Sequence, residues 1–353
     1  MKTVRLGSTD LWVSRVGFGG IPIQRLSEAD ALAVIRRALD AGFTFFDTAH
    51  GYTTSEERIG KAIAGRRDQL VITTKTPAKD KKTALEHLDL SLRRLQTDYI
   101  DLWQLHNVST PKGWAQVQGP NGALEAANAA VQSGKVRYVG VSSHSLDLSL
   151  VLVPTGHFRT LQFPFNFVTD EPTAALLPLT VQHSVGFIAM KPFAGGLLDN
   201  ARLTIKHLLQ YPTVVPDPGM QSTAEVDEIA AIVNDPLELT PDELLEMERI
   251  RAAADARFCR RCEYCQPCPE NVRIATVMTV QSFWRRFPPE RFFGGFIKEA
   301  AESARRCAEC GECETRCPYH LPIREMLAEN LAFYDRMFAA SSGASTASGV
   351  PSA

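Results

Sequence analysis

Along the first 235 residues, short apolar runs alternate with amphipathic stretches. The runs cover 13–18, 43–48, 70–75, 99–105, 136–141, 160–165, 186–190 and 213–216. Most are too short for helices and are rich in β-branched or aromatic residues, so they read as buried strands. Helix signals fill the gaps. Ser27-Glu28-Ala29-Asp30 opens a helix over 31–41 like a cap, and Gly42 stops it. Leu85, Leu88, Leu92 and Leu95 share one face of a helix over 83–95. A third helix, over 123–133, ends at Gly134. Eight strands with helices between them predict an α/β fold, a (β/α)8 TIM barrel. The alternative is a doubly wound open sheet. The early Gly-x-Gly-x-x-Gly turn that would favour it is missing; Gly17-Phe18-Gly19-Gly20 is the nearest stretch. Residues 236–254 read as a linking helix. Residues 339–353, almost all Ala, Ser, Gly, Thr and Pro, read as a disordered tail.

A barrel of this kind carries its chemistry at the C-terminal ends of the strands. The polar residues that end these runs are Asp47, Lys75, His106, Ser142, Gln162, Lys191 and the turn over 219–223. Taken singly, each has a plain structural reading: a surface lysine, a strand-end histidine, a capping aspartate. Only the set points to a site.

The bulk properties narrow the partners. The chain has 353 residues, 44% hydrophobic, with Lys plus Arg 38 against Asp plus Glu 40. A net charge of -2 gives no electrostatic case for nucleic acid or an anionic membrane. No apolar run approaches the ~18 residues needed to cross a bilayer. The segment from Met1 to Gly7 lacks the apolar core of a signal peptide. With clustered thiols, these features predict a cytoplasmic protein.

Cysteine usage separates a second domain. All eight cysteines fall in two quartets, Cys259, Cys262, Cys265, Cys268 and Cys307, Cys310, Cys313, Cys317. The second quartet, followed by Pro318, has the C-x2-C-x2-C-x3-C-P spacing of a ferredoxin-type [4Fe-4S] site. Zinc would normally show paired C-x2-C knuckles across a longer loop, and disulfides fit the compartment poorly. Three closely spaced thiolates take three corners of a cube, and the fourth reaches to the neighbouring one. In that swapped pattern Cys259, Cys262, Cys265 and Cys317 hold one cube, and Cys307, Cys310, Cys313 and Cys268 the other. The first quartet is the weaker signal, because its last gap is shorter. Residues 255–338 are therefore expected to form a small, mainly helical, ferredoxin-like iron–sulfur domain.

Several motifs, in order, resemble the aldo-keto reductases. They are Phe43-Thr44-Phe45-Phe46-Asp47-Thr48-Ala49-His50-Gly51-Tyr52, then Ser55-Glu56-Glu57-Arg58-Ile59-Gly60, 70–76 with Lys75, 98–106, and 135–142. Leu6-Gly7-Ser8-Thr9-Asp10-Leu11-Trp12-Val13-Ser14 resembles the hairpin that plugs the barrel bottom in that family. The likeness covers 1–235, and the whole chain resembles the subgroup with a C-terminal ferredoxin-like extension. It implies a catalytic tetrad of Asp47, Tyr52, Lys75 and His106. Tyr52 would protonate the alkoxide left by hydride transfer; a free phenol titrates near ~10, and a neighbouring ammonium lowers that value. Asp47 would hold Lys75, and His106 would orient the substrate oxygen.

The same resemblance implies NAD or NADP contacts from Ser142, Ser143, Gln162, Met190, Lys191, Gly219, Gln221, Ser222 and Thr223. Two positions depart from the family. Ser142-Ser143-His144 stands where many members have Ser-Asn, and Met190 stands where an aromatic usually stacks on the nicotinamide. No Lys or Arg lies between His207 and Glu248, while Glu225 and Asp227 do, which favours NAD over NADP. A plain turn capped by Ser222 is the structural alternative for that segment. Two classes of function follow. One is a nicotinamide-dependent carbonyl reductase or alcohol dehydrogenase carrying two [4Fe-4S] clusters. The other is an electron-transfer protein whose barrel docks a redox partner.

Overall fold

The computed structural model describes residues 1–255 and 257–346. The chain divides into two compact units, Met1–Arg249 and Ile250–Ala353. In the first, strands β1 (Thr3–Arg5) and β2 (Trp12–Ser14) form an antiparallel hairpin. Eight parallel strands follow: β3 (Phe18–Gly19), β4 (Phe45–Asp47), β5 (Val71–Thr76), β6 (Ile100–Leu105), β7 (Val136–Ser142), β8 (Thr160–Pro164), β9 (Gly186–Met190) and β10 (Val214–Asp217). Each pairs with the next in chain order. The circle closes where Gly17 N–H donates to Pro216 O and Gly19 N–H to Pro218 O, both at 2.8 Å. Gly19 and Gly219 form a parallel bridge at this seam. A side chain on Gly19 would collide with the Pro218 carbonyl, so glycine is what lets the seam close.

The run at 13–18, expected as one strand, is split. Arg15 N–H bonds Lys2 O and extends the hairpin, which leaves only Phe18–Gly19 for the barrel. Helix signals behave as local chemistry dictates. Ser27 Oγ accepts from Asp30 N–H at 3.1 Å and opens the helix Glu28–Asp40; Gly42 leaves it at φ +88°. Asp80 Oδ1 accepts from Thr83 N–H at 2.9 Å to open Lys81–Leu95, whose Leu88 and Leu95 are buried.

Period-two alternation sorts the strand side chains into two sets. Phe46, Ile72 and Trp103 face outward into the core shared with the helices. Phe45, Val71, Leu102, Ile188 and Val215 pack with Leu6, Leu11 and Val13 of the hairpin segment. This apolar layer fills one end of the barrel. Two residues further along the same strands come Asp47, Thr73, Gln104, Met190 and Asp217, and then Lys75. The interior therefore turns from apolar to polar toward the C-terminal strand ends.

The first unit continues past the expected end at 235. Buried Lys206 and the neighbouring Arg202 both donate to Glu243, at 2.6 and 3.1 Å, which ties in the start of the helix Pro241–Asp255. That helix crosses the division between the units.

The second unit contains the helices Ile274–Val277, Val280–Trp284, Pro289–Phe292, Gly295–Ala304, Glu312–Thr315 and Ile323–Thr346. Val272, Ile274, Val277, Ala300, Leu321 and Leu327 form its core, with Cys265 and Cys317 buried among them. The tail expected to be disordered from residue 339 is helical as far as Thr346; alanine-rich sequence sustains a helix once packing has started it. The rest of that expectation, 347–353, lies outside the described residues. No helix among the described residues is long and apolar enough to cross a membrane.

Candidate active site and iron–sulfur centre

Three of the four tetrad candidates sit where strands end, and the fourth lies in the turn after β4. Lys75, the fifth residue of β5, is fully inside the barrel. Its Nζ donates to Asp47 Oδ2 and, at 2.8 Å, to Thr48 O. The same Nζ lies 5.3 Å from the centre of the Tyr52 ring. Tyr52 and His106 meet edge-on, with ring centres 6.1 Å apart and planes at 81°. Both are half-buried, so they form the accessible side of the group while Asp47 and Lys75 form its floor. Burial alone would lower the Lys75 pKa. The charges of Asp47, Tyr52 and Asp217 outweigh it, and the net direction is upward, which keeps the ammonium charged.

Three further residues, Gln104, Gln162 and Asp217, complete this floor. Gln104 Nε2 donates to Thr73 Oγ1 at 3.0 Å, to Gln162 Oε1 at 3.3 Å and to Asp47 Oδ1 at 3.5 Å. Gln162 Nε2 in turn donates to Asp47 Oδ2 at 3.4 Å and to Asp217 Oδ2 at 3.1 Å. Burial, then the nearby Asp47 charge, raises the Asp217 pKa well above the ordinary carboxyl range. Neither Gln104 nor Asp217 was singled out from the sequence. The signal was present: each lies two residues beyond an inward apolar residue of a buried strand, Leu102 and Val215.

The expected cofactor residues ring the same end of the barrel. Ser142 and Ser143 are buried; Ser142 Oγ accepts from Asn107 N–H at 2.9 Å, and Ser143 Oγ accepts from Ser145 N–H at 3.2 Å. Ser142 Oγ thus keeps a proton to donate, whereas Ser143 Oγ already donates to Ser145 O at 3.4 Å and offers a remaining lone pair. Both N–H groups of the Gln162 amide are engaged with Asp47 and Asp217, and its oxygen accepts from Gln104 with one lone pair left to offer. Met190 pairs with Asp217 across β9 and β10, and Lys191 follows at φ +56°. Beyond Gly219, Gln221 N–H donates to Glu225 Oε2 at 2.7 Å, and Glu225 N–H to Ser222 Oγ at 3.1 Å. Ser222 thus caps the helix Thr223–Asn234, and the Glu225 carboxylate in its first turn reaches back to Gln221 N–H just before the cap. Asp227 is paired with Arg37 at 2.5 Å, a cation from a distant helix that the local sequence could not reveal.

In the second unit none of the eight cysteines is joined to another in a disulfide. Cys265, Cys268, Cys307, Cys310 and Cys313 line one cavity, backed by Val272, Ile274 and Leu327. Cys259 has Cys262 and Cys317 as charge neighbours, and Cys265 has Cys259, Cys262 and Cys313. Burial, with these neighbours, pushes the Cys265 thiol up to about 12. Thiols so placed become thiolates when a cation sits among them, so the donor set fits an iron–sulfur group. Arg316, next to Cys317, donates to Cys265 O at 3.3 Å and to Pro267 O at 2.5 Å, linking the two quartets.

A barrel with a buried Asp–Lys pair beneath a tyrosine and a histidine, joined to a cysteine-rich helical unit, defines a two-part oxidoreductase. Residues 15–211 match the aldo/keto reductase family, and residues 258–322 match the 4Fe-4S dicluster domain. The chain belongs to the aldo/keto reductase family and carries a C-terminal 4Fe-4S dicluster domain. It is similar to the aldo-keto reductase YhdN of Bacillus subtilis, 32% identical over 218 residues, which are 56% of this chain and 64% of that protein. It is also similar to L-galactose dehydrogenase of Arabidopsis thaliana, 34% identical over 212 residues, 55% of this chain and 66% of that one. The matches thus span slightly under two thirds of these relatives. Among solved structures, aldo-keto reductase AKR11C1 from Bacillus halodurans superposes with a TM-score of 0.63 at 25% identity, covering 71% of this chain and 96% of that one. An aldo-keto reductase from Klebsiella pneumoniae, in complex with NADPH, gives 0.62 at 28% identity, covering 71% and 95%.

Proposed function

We propose that the protein interconverts an aldehyde or ketone and an alcohol with NAD(P)(H), and that Tyr52 donates the proton. The observation that carries this is the buried Asp47–Lys75 pair with its ammonium 5.3 Å from the Tyr52 ring. The nicotinamide, when bound, supplies or accepts a hydride. Everything else falls to side chains. Tyr52 gives its proton to the alkoxide oxygen as charge develops there. The Lys75 ammonium stabilises the phenolate left behind, and Asp47 keeps that ammonium in place. His106, edge-on to Tyr52, offers a second hydrogen bond to the same oxygen. Ser142, Ser143, Met190 and Lys191 are suited to hold the nicotinamide, and Gly219, Gln221, Ser222 and Thr223 the adenosine end.

Two [4Fe-4S] clusters complete the reading. Cys259, with Cys262 and Cys317 beside it, supports a set of Cys259, Cys262, Cys265 and Cys317, and the cavity supports Cys268, Cys307, Cys310 and Cys313, with Cys265 lining that cavity too. The test is a carbonyl and alcohol screen on anaerobically purified protein, with both cofactors and no added redox carrier. Turnover supports the enzyme; activity only with a viologen or ferredoxin supports the electron-transfer alternative.

NAD is favoured over NADP, because the Glu225 carboxylate stands in the first turn of the helix that would otherwise meet a 2′-phosphate. Comparing kcat/KM for NADH and NADPH should show a preference for NADH. Glu225→Gln should shift that ratio toward NADPH by roughly two- to five-fold, the worth of one charge at a helix terminus. A clear NADPH preference in the parent protein contradicts this assignment.

A further inference from the structure

Asp217 ends β10 with its side chain in the floor of the barrel. The residue is 7% exposed, and its Oδ1 has no hydrogen-bond partner among the described residues. Its other oxygen accepts from Gln162 Nε2, the same group that donates to Asp47. The groups that face it are the Asp47 carboxylate from β4 and the Lys75 ammonium from β5, with the Gln162 amide from β8; Tyr52 acts on Lys75 from the turn above. Gly17 lets the chain pass so close that a Cβ there would come 3.3 Å from Asp217 Oδ1. Two carboxyl groups thus lie near one ammonium, which of the two donates to Asp47 alone, and all three side chains are buried. Two ionised carboxylates in such a space repel each other strongly, and one retained proton relieves the repulsion.

We propose that Asp217 is a positioning residue that retains a proton beside the Asp47 carboxylate and thereby sets how firmly Asp47 holds Lys75 beneath Tyr52. This rests on the reading of Lys75 and Tyr52 given above, yet its test does not require turnover. With the proton in place, the buried cluster is neutral, one carboxylate to one ammonium. Losing it adds a negative charge that binds Lys75 more tightly to the floor and makes the Tyr52 phenolate harder to form.

The sign of the linkage follows from the direction of the shift. A carboxyl whose pKa is raised on folding binds its proton more tightly in the native state. Its contribution is full at acid pH and is lost as pH rises from the ordinary carboxyl range through the folded value. Asp217→Asn keeps a donor toward Asp47 but cannot ionise. In the full-length, cluster-loaded protein, the Tm of D217N minus that of the parent should therefore grow more positive as pH rises. A pH-independent difference, or one that moves the other way, overturns the proposal. Infrared difference spectra give a second reading. The parent should show the carbonyl band of a protonated, buried carboxylic acid at neutral pH, and D217N should lack it. Asp47→Asn should lose the band too, since Asp217 would then be the one carboxylate beside the ammonium and need retain no proton. Either folded variant suffices; a spectrum without that band in the parent, or with it unchanged in both variants, also overturns the proposal.

Discussion

Replacing Tyr52 with phenylalanine should lower carbonyl reduction by ~10²–10⁴-fold, the usual worth of a general acid, and leave nicotinamide binding nearly intact. The substitution removes one oxygen from a half-buried ring whose edge still meets His106. Lys75→Met should be about as damaging to turnover, because it takes away the charge that stabilises the phenolate. It carries a second penalty that Tyr52→Phe does not: Asp47 would lose the ammonium that donates to it in the barrel floor. Thermal melts should therefore separate the pair, with Tyr52→Phe near the parent and Lys75→Met clearly lower. Steady-state rates combined with cofactor titration measure the first effect. A phenylalanine variant that turns over near the parental rate removes Tyr52 from the role assigned to it.

The second large effect concerns the cysteines. Cys310→Ser should cost the protein the cube that Cys310 is assigned to and destabilise the second unit, whose core is built around Cys265 and Cys317. Carbonyl reduction should persist in whatever barrel stays folded. Hydride transfer moves two electrons together, whereas a [4Fe-4S] cube changes by one. On the proposed reading, the Tyr52 and Lys75 step therefore needs nothing from the clusters. Iron analysis, spectroscopy and assay on one preparation read all three outcomes. Complete loss of hydride transfer in a variant whose barrel still binds nicotinamide would place the clusters in the catalytic path.

The sequence disclosed those parts of the molecule whose signal is local. Apolar runs gave seven of the eight barrel strands with small shifts, because a buried parallel strand must be apolar on both faces. Ser27 and the leucines at 88 and 95 foretold two helices through capping and periodicity. The eight cysteines announced the second unit, since thiolate spacing is a direct record of cluster geometry. Non-local features stayed hidden. The first strand was misjudged because Val13 serves the hairpin rather than the barrel, a matter of which segment reaches it. The helical continuation to Thr346 was missed because Ala-Ser sequence is ambiguous without its packing. Arg37 reaches Asp227 from a distant helix, so no local motif marks the pair. The inward positions of Gln104 and Asp217 were legible, but their partners Asp47 and Gln162 meet them only when strands far apart in sequence come together inside the barrel.

The central claim is that a hydride passes directly between cofactor and substrate in the barrel, with the clusters outside that step. The most direct test follows a label. The protein is given a carbonyl substrate and a nicotinamide cofactor deuterated at the transferring position of C4, and the alcohol product is examined by mass spectrometry. The account predicts deuterium on the carbinol carbon, in step with cofactor consumed. Product that carries solvent hydrogen there instead would mean that electrons travelled separately from the proton, and would contradict it.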